Sequence, residues 1–135
     1  MDFGVSVLTV VATAISAAAK LQEIFSRLQH APDEIVALLY EVQTVRIVLL
    51  DIERKRESAS VWLDLTALAA IVRRAGKVLD DVNDFVTKLA HLDAQEKLNF
   101  HRLRWYFARE EGQRYLRELQ NLRDTAVALV ACASL

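Results

Sequence analysis

The chain has 135 residues, of which 53% are hydrophobic, 3 are Gly and 1 is Pro. This length suffices for one domain with a buried core, and the scarcity of helix-breaking residues predicts a nearly all-helical fold. The formal net charge of −1 excludes a strong overall attraction to nucleic acid or to anionic lipid. A single cysteine excludes an internal disulfide and fits a reducing cytosol. We therefore treat residues 1–135 as one cytoplasmic helical domain.

The first predicted helix, from about Phe3 to His30, is more apolar than a surface helix requires. No charged residue occurs from Phe3 to Ala19. Polar residues recur at spacings of four and three, which places them within about one third of the helix circumference. In the first four turns this polar stripe consists of hydroxyl side chains: Ser6, Thr9, Thr13 and Ser16. The opposite side carries an apolar surplus that the bundle, a second copy or lipid must cover: Leu8, Val11, Ile15 and Ala18.

Two targeting signals compete with this interpretation of the first helix. The run from Val5 to Val11, followed by Ala-x-Ala patterns, is typical of a secretory signal peptide, but Asp2 and the lack of Lys or Arg before the run argue against one. A constitutive transmembrane helix is disfavoured because this uncharged stretch gives about 25 Å of helix, short of the hydrocarbon core of about 30 Å. We expect a helix that stays soluble in the folded protein and enters a bilayer when released.

Three further helices complete the predicted fold. One runs from about Pro32 to Glu57 and the next from about Val61 to Leu92. A short helical connector from Lys97 to Arg109 then precedes a last helix after Gly112. Short connections make sequential helices antiparallel, so the predicted fold is an all-α, antiparallel four-helix bundle with that connector. Apolar residues at helical spacing mark the expected core, among them Leu38, Val42, Leu49, Leu68, Val72, Leu79, Leu116, Leu119, Leu122 and Leu129.

The sequence lacks the arrangements on which enzymes depend. Its glycines stand at positions 4, 76 and 112, too far apart for a phosphate-binding loop. One cysteine and three scattered histidines do not provide the spacing of metal ligands. We therefore predict no catalytic activity, no cofactor and no metal.

One local cluster interleaves arginines with aromatic residues over positions 100–109. From Lys97 to Arg123 there are seven Lys or Arg and three Glu, a local surplus of positive charge. Such clusters are typical of surfaces that bind the phosphate groups of lipids or of nucleic acids. For Trp105 and Phe107 we favour a structural role, in which they close the end of the bundle while the arginines lie outside. The candidate contacts to lipid phosphate are Arg102, Arg104 and Arg109.

The order of these features resembles the N-terminal domain of fungal STAND-type (NOD-like) receptors and their relatives, the HeLo-like cell-death domains. The resemblance rests on Met-Asp-Phe-Gly at 1–4, Ala-Pro-Asp-Glu-Ile at 31–35 and Leu-Arg-Trp-Tyr-Phe at 103–107. It implies a helical bundle similar to necroptosis executioner domains and to the coiled-coil domains of plant resistance proteins. Such a domain oligomerises when a NOD-like receptor module is triggered and then damages the plasma membrane. The residues to which the resemblance assigns the membrane and oligomer contacts are Phe3, Val7, Leu8, Val11 and Ile15.

A non-lytic adaptor is the alternative function. In that case the apolar surplus of the first helix forms a protein interface and never touches lipid. In the resting monomer we expect the first helix to be buried, with its hydroxyls bonded to carbonyls one turn earlier. The exposure of Leu8, Val11 and Ile15 distinguishes the two resting states: burial implies a release step, and exposure implies a partner that covers them.

Overall fold

Four long α-helices account for most of the protein. The computed structural model describes residues 3–29, 31–56, 65–92, 98–100 and 102–133. The predicted all-helical character with four helices is confirmed. The helices are α1 (Phe3–Ser26), α2 (Asp33–Arg56), α3 (Leu65–Leu89) and α4 (Arg102–Ala133).

Short extended segments join the helices at one end of the bundle. They are β1 (Leu28–Gln29), β2 (Ala90–Leu92) and β3 (Leu98–Phe100). Strand β3 lies in the middle, parallel to β1 and antiparallel to β2. The first and third helices therefore end at Ser26 and Leu89, earlier than predicted, because the next residues pair as strands.

The packing of the helices differs from a simple antiparallel bundle. Helix α1 packs against α2 and α3, and α4 packs against the same two helices. The bonds Arg109–Glu34 and Arg123–Glu41 advance in the same direction along α2 and α4, so these two helices are parallel. Helices α3 and α4 are antiparallel, as the pair Arg74–Glu118 near one end and the contact of Phe85 with Trp105 near the other indicate. Sequential α3 and α4 are thus antiparallel, whereas α2 and α4, which pack together but do not follow each other in the chain, are parallel. The predicted antiparallel arrangement is not confirmed for the bundle as a whole.

The predicted helical connector is not a separate element. Helix α4 begins at Arg102 and continues through Gly112 without a break. The apolar inner side explains why, because Trp105, Tyr115 and Leu119 fall at helical spacing on both sides of the glycine and are all buried. One glycine costs a helix about 1 kcal/mol, which this burial exceeds.

Two helix glycines pack at different distances, and this predicts opposite effects of alanine. A Cβ at Gly76 would lie 3.6 Å from the Cβ of Ala14, an ordinary contact. A Cβ at Gly112 would lie 3.2 Å from Cη2 of Trp105 and 3.4 Å from Cε1 of Phe85. We expect Gly76→Ala to raise the free energy of unfolding by about 0.5–1 kcal/mol, and crowding to cancel or reverse this gain in Gly112→Ala.

Urea denaturation of the two alanine variants measures this difference. Equal stabilisation by both substitutions would show that the Trp105 ring moves aside and that the packing at Gly112 is not tight.

Candidate functional site

The apolar face of α1 that sequence analysis treated as surplus to the needs of a surface helix belongs to the core. Val11 is 0% exposed, and Ile15 is half-buried and packed against the core. From Thr9 to Ser26, α1 leaves no large apolar side chain exposed. This burial agrees with the expectation that, in the resting monomer, the rest of the bundle covers the apolar face of the first helix, for this part of α1. Its physical reason is that α1 has two helix neighbours, α2 and α3, which cover two of its sides.

Several predicted site residues lie outside the part of the chain whose side chains the structure describes. The backbone of the first turns belongs to α1, and Arg102 begins α4. The predictions for the following side chains therefore stay predictions: Phe3, Ser6, Val7, Leu8 and Arg102.

The polar stripe faces outward where it is described. Thr9, Thr13 and Ser16 are exposed and line a shallow open groove, together with Lys20 of α1 and Asp80 of α3. The Thr13 hydroxyl donates a hydrogen bond of 2.8 Å to the carbonyl of Thr9, as expected for a hydroxyl on a packed helix. The resting helix thus presents its hydroxyls to the surface while its apolar face lies inside.

The inner face of α1 changes in side-chain size along the helix. Its first described turns bury small residues, with Ala14 directly against Gly76 of α3. Its last turns bury Leu21 and Phe25. Beside them the Arg46 guanidinium of α2 donates a hydrogen bond of 2.8 Å to the Gln22 side chain. Larger buried side chains remove more apolar area from water, so among the described turns of α1 the last ones are the more strongly held.

The basic–aromatic cluster divides into an inner and an outer side at the start of α4. Trp105 is buried, with its ring edge-on to Phe85 at a centroid distance of 6.3 Å. Phe107 is 77% exposed, so the prediction that it closes the end of the bundle is wrong, whereas that for Trp105 agrees with its burial. Leu103 and Tyr106 are also exposed, at 71% and 66%.

Two of the candidate phosphate-binding arginines have protein partners. Arg109 forms an ion pair of 2.8 Å with Glu34 of α2. Arg104 donates a hydrogen bond of 3.3 Å to the carbonyl of Lys88, at the end of α3. Both side chains remain exposed, which keeps their other donor groups at the surface. The structure thus brings Arg104 and Arg109 to one end of the bundle.

A second exposed apolar surface, which sequence reasoning missed, lies between α2 and α4. Ile47, Leu50 and Val127 are exposed around Val130, which forms its floor. Asp51, Arg54 and Lys55 stand along one side of this groove. The signal was present in α2, where Ile47 and Leu50 stand outside the core spacing that Val45, Leu49 and Ile52 define.

A buried carboxylate lies between the same two helices. Glu41 is 6% exposed, and its Oε2 accepts a hydrogen bond of 3.0 Å from Nη1 of Arg123. Its Oε1 is buried without a partner. Burial raises the pKa of the Glu41 carboxyl above its usual range; the Arg123 charge acts in the opposite direction, and Asp124 adds to the rise.

Comparison with models of protein families, with curated proteins and with solved structures yields no match. No helix in the described ranges combines the length and apolar character needed to cross a membrane. Among the same residues there is no cluster of three or more His, Cys, Asp or Glu that could hold a metal ion.

Proposed function

We propose that this protein is a cell-death signalling domain of the HeLo-like group that oligomerises and acts on the plasma membrane through α1. It rests in the cytoplasm as a folded bundle, and a downstream or partner NOD-like receptor module triggers it. Its partners are further copies of itself and anionic membrane lipids. It needs no cofactor, performs no catalysis and does not bind nucleic acid.

The change in packing along α1 is the observation that carries this proposal. Small side chains hold the first described turns of α1 on α3, as at Ala14 and Gly76, whereas Leu21 and Phe25 hold the last turns. At about 25 cal/mol per Å² of apolar area, these first described turns, in which Val11 is the largest fully buried side chain, leave the bundle at a lower cost than the last turns. They belong to the part of α1 without charged residues. Release from the N-terminal end therefore frees the segment best suited to lipid.

A released α1 has two different faces. The apolar side that includes Val11 and Ile15 would contact lipid. The hydroxyls of Thr9, Thr13 and Ser16 would then bond to neighbouring helices or line a wet pore in an oligomer. Because Val11 is fully buried at rest, activity requires a release step.

The alternative is a non-lytic adaptor that works through protein contacts. The groove between α2 and α4 supports this function, because Ile47 is 67% exposed and lies beside Leu50 and Val127. An apolar centre with charged residues beside it is typical of protein interfaces. This interface lies on α2 and α4, and not on α1 as the sequence predicted.

Leakage of anionic vesicles by purified protein, forced to oligomerise through a fused dimerising domain, tests the proposal. Ala12 is exposed on α1, so Ala12→Glu leaves the folded state intact. It places a charge beside the hydroxyls of Thr13 and Ser16, on the face that we expect to meet neighbouring copies of α1, and inserting a helix with a central charge costs about 2.5–3.5 kcal/mol. We expect Ala12→Glu to reduce leakage at least about tenfold.

Ala70→Glu is the matched control, because Ala70 is an exposed alanine on α3. It should leave leakage unchanged. Wild-type protein that binds no vesicles and causes no leakage when oligomerised would contradict the lytic function. A stable dimer that Ile47→Glu dissociates, again without leakage, would select the adaptor.

A further inference from the structure

Three exposed apolar side chains form a continuous patch at the start of α4. Leu103, Tyr106 and Phe107 are 71%, 66% and 77% exposed. Their spacing of three and four residues places them on one side of the helix. The rings of Tyr106 and Phe107 meet edge to face, with centroids 5.6 Å apart. We call these three residues the α4 patch.

The α4 patch is not part of the protein core. The inner side of the same helical turns is already covered, since Trp105 is buried against Phe85. Single exposed apolar residues are common on protein surfaces, but adjacent large ones mark a binding surface. The patch is therefore a candidate surface for binding a partner outside the monomer.

The charge around the α4 patch indicates the chemistry of that partner. Residues 102–117 contain five arginines and two glutamates, in a chain whose total charge is −1. Arg104 is exposed and adjacent to Leu103 in sequence, and Arg114 is exposed two helical turns after Phe107. Of the two acids, Glu111 accepts a hydrogen bond of 2.9 Å from the Tyr115 hydroxyl and lies 4.0 Å from the Arg114 guanidinium. The local surplus is thus positive and suits a negatively charged surface.

Acidic residues of α3 lie on the inner side of these turns. Asp81 and Asp84 line a cleft with Lys88, Arg104 and Tyr115. These two acids moderate the positive charge on the inner side. On the outer side, with Leu103, Tyr106 and Phe107, the nearest acid in sequence is Glu110.

From these observations we propose that the α4 patch docks the folded domain on an anionic bilayer before α1 is released. Tyr106, Phe107 and Leu103 enter the interfacial layer, and the flanking arginines contact lipid phosphates. Aromatic and aliphatic side chains beside arginines are typical of helices that lie at membrane interfaces. This inference rests on the proposed membrane function but does not require α1 to leave the bundle.

The bilayer is favoured over a second copy by charge. Two α4 patches that met face to face would bring two positively charged segments together, and like charges at an interface oppose association. A bilayer that contains anionic lipid gains instead from each arginine that approaches it.

The patch also lies close to the base of α1. Strand β1 follows α1 and pairs with β3 through Leu28 and Leu98, and β3 ends two residues before α4 begins. Docking at the α4 patch therefore holds the C-terminal end of α1 near the bilayer. A released α1 then turns about this end to reach the lipid.

Cosedimentation of the full chain with vesicles tests the docking step. We would use vesicles of phosphatidylcholine alone and of equal parts phosphatidylcholine and phosphatidylserine. The Tyr106→Ser/Phe107→Ser variant should bind the anionic vesicles at least about tenfold more weakly, because one fully buried aromatic side chain already corresponds to a factor of ten or more. Added salt should weaken binding of the wild type.

Ile47→Ser is the matched control, because Ile47 is equally exposed but lies in the groove between α2 and α4. It should bind vesicles like the wild type, and circular dichroism should show all variants folded. Unchanged binding of Tyr106→Ser/Phe107→Ser, or equal binding to both vesicle types, would overturn the inference. The inference would also be overturned if the wild type bound no vesicles but formed a dimer in solution that the Tyr106→Ser/Phe107→Ser variant did not form.

The same assay separates this inference from the proposed function. Protein that docks through the α4 patch but never causes leakage would support the docking surface and contradict the lytic role of α1. Protein that causes leakage with the α4 patch removed would support the lytic role and overturn the docking surface.

Discussion

Vesicle leakage stops when α1 is fixed to α3 and returns when the link is reduced. This is the result that we expect from an Ala14→Cys/Gly76→Cys variant, made in a Cys132→Ala background to remove the native thiol. A Cβ at position 76 would lie 3.6 Å from the Cβ of Ala14, within the range of about 3.5–4.5 Å that disulfides prefer. The link should therefore form without moving either helix.

The magnitude of the effect follows from its position. The disulfide lies among the small residues at which we expect α1 to begin to separate, so the oxidised protein cannot expose Val11 or Ile15. Leakage of anionic vesicles should fall to background in the oxidised form and recover with dithiothreitol. Docking on vesicles should be the same in both forms, because the α4 patch is untouched.

The reduced form of the same variant is the internal control, since it differs from the oxidised form by one covalent bond. Formation of the disulfide is checked by mass spectrometry. Undiminished leakage by fully oxidised protein would show that α1 acts without leaving α3, and the release step would have to be abandoned.

Loss of the Arg123 side chain should cause the largest drop in stability that we expect from a partly exposed residue. The Arg123 side chain is 28% exposed, but it neutralises Glu41, whose side chain is 7% exposed. Arg123→Met keeps most of the apolar stem and removes the charge. An unpaired carboxylate then stays buried between α2 and α4, so the free energy of unfolding near pH 7 should fall by about 2–3 kcal/mol.

The pH dependence of this loss has a definite sign. The pKa of Glu41 is raised in the folded protein, so the folded state takes up its proton more readily than the unfolded chain. The stability that this pKa difference contributes is present below the pKa of Glu41 in the unfolded chain, and it is lost as pH rises through the pKa of Glu41 in the folded protein. Without Arg123 the pKa of Glu41 rises further, so Glu41 of the variant takes up a proton as pH falls from about 7 to about 5. The loss in free energy of unfolding caused by Arg123→Met should therefore become smaller over that range.

Urea denaturation at both pH values measures the effect. The matched control is Glu41→Gln, which removes the buried charge and should cost less than about 1 kcal/mol. The double variant Arg123→Met/Glu41→Gln should be more stable near neutral pH than Arg123→Met alone. A deficit that is the same at both pH values and in the double variant would show that Arg123 stabilises through packing and not through Glu41.

The core residues of α2 and α3 could be predicted because, in these helices, the apolar residues at helical spacing are the ones that are buried. Leu38, Val42 and Leu49 are buried in α2, as are Val72 and Leu79 in α3. In α4 the core line lies slightly to one side of the predicted one. Leu116, Leu122 and Leu129 are half-buried, whereas Trp105, Tyr115, Leu119, Ala126 and Val130 form the buried line.

The remaining errors share one physical origin. Periodicity shows which side of a helix is apolar but not how far its neighbours cover that side. Helices α1 and α2 each pack against two others, yet Val11 of α1 is fully covered whereas Ile47 and Leu50 of α2 stay exposed. The exposure of Phe107 could not be predicted either, because the sequence does not show that Trp105 beside it is the aromatic residue that fills this part of the core. The sequence therefore predicted which residues form the candidate site, but it predicted their exposure less well.

The neighbour relations of α1 also bear on how the chain is synthesised. Its most extensive packing is with α3, which begins 39 residues after α1 ends at Ser26 and finishes at Leu89. On a ribosome that adds roughly 5–20 residues per second, several seconds pass between completion of the two helices. During this interval nothing but α2 shields Leu21 and Phe25 from the surroundings. The nascent chain is consequently at its most aggregation-prone and most dependent on chaperones before α3 emerges.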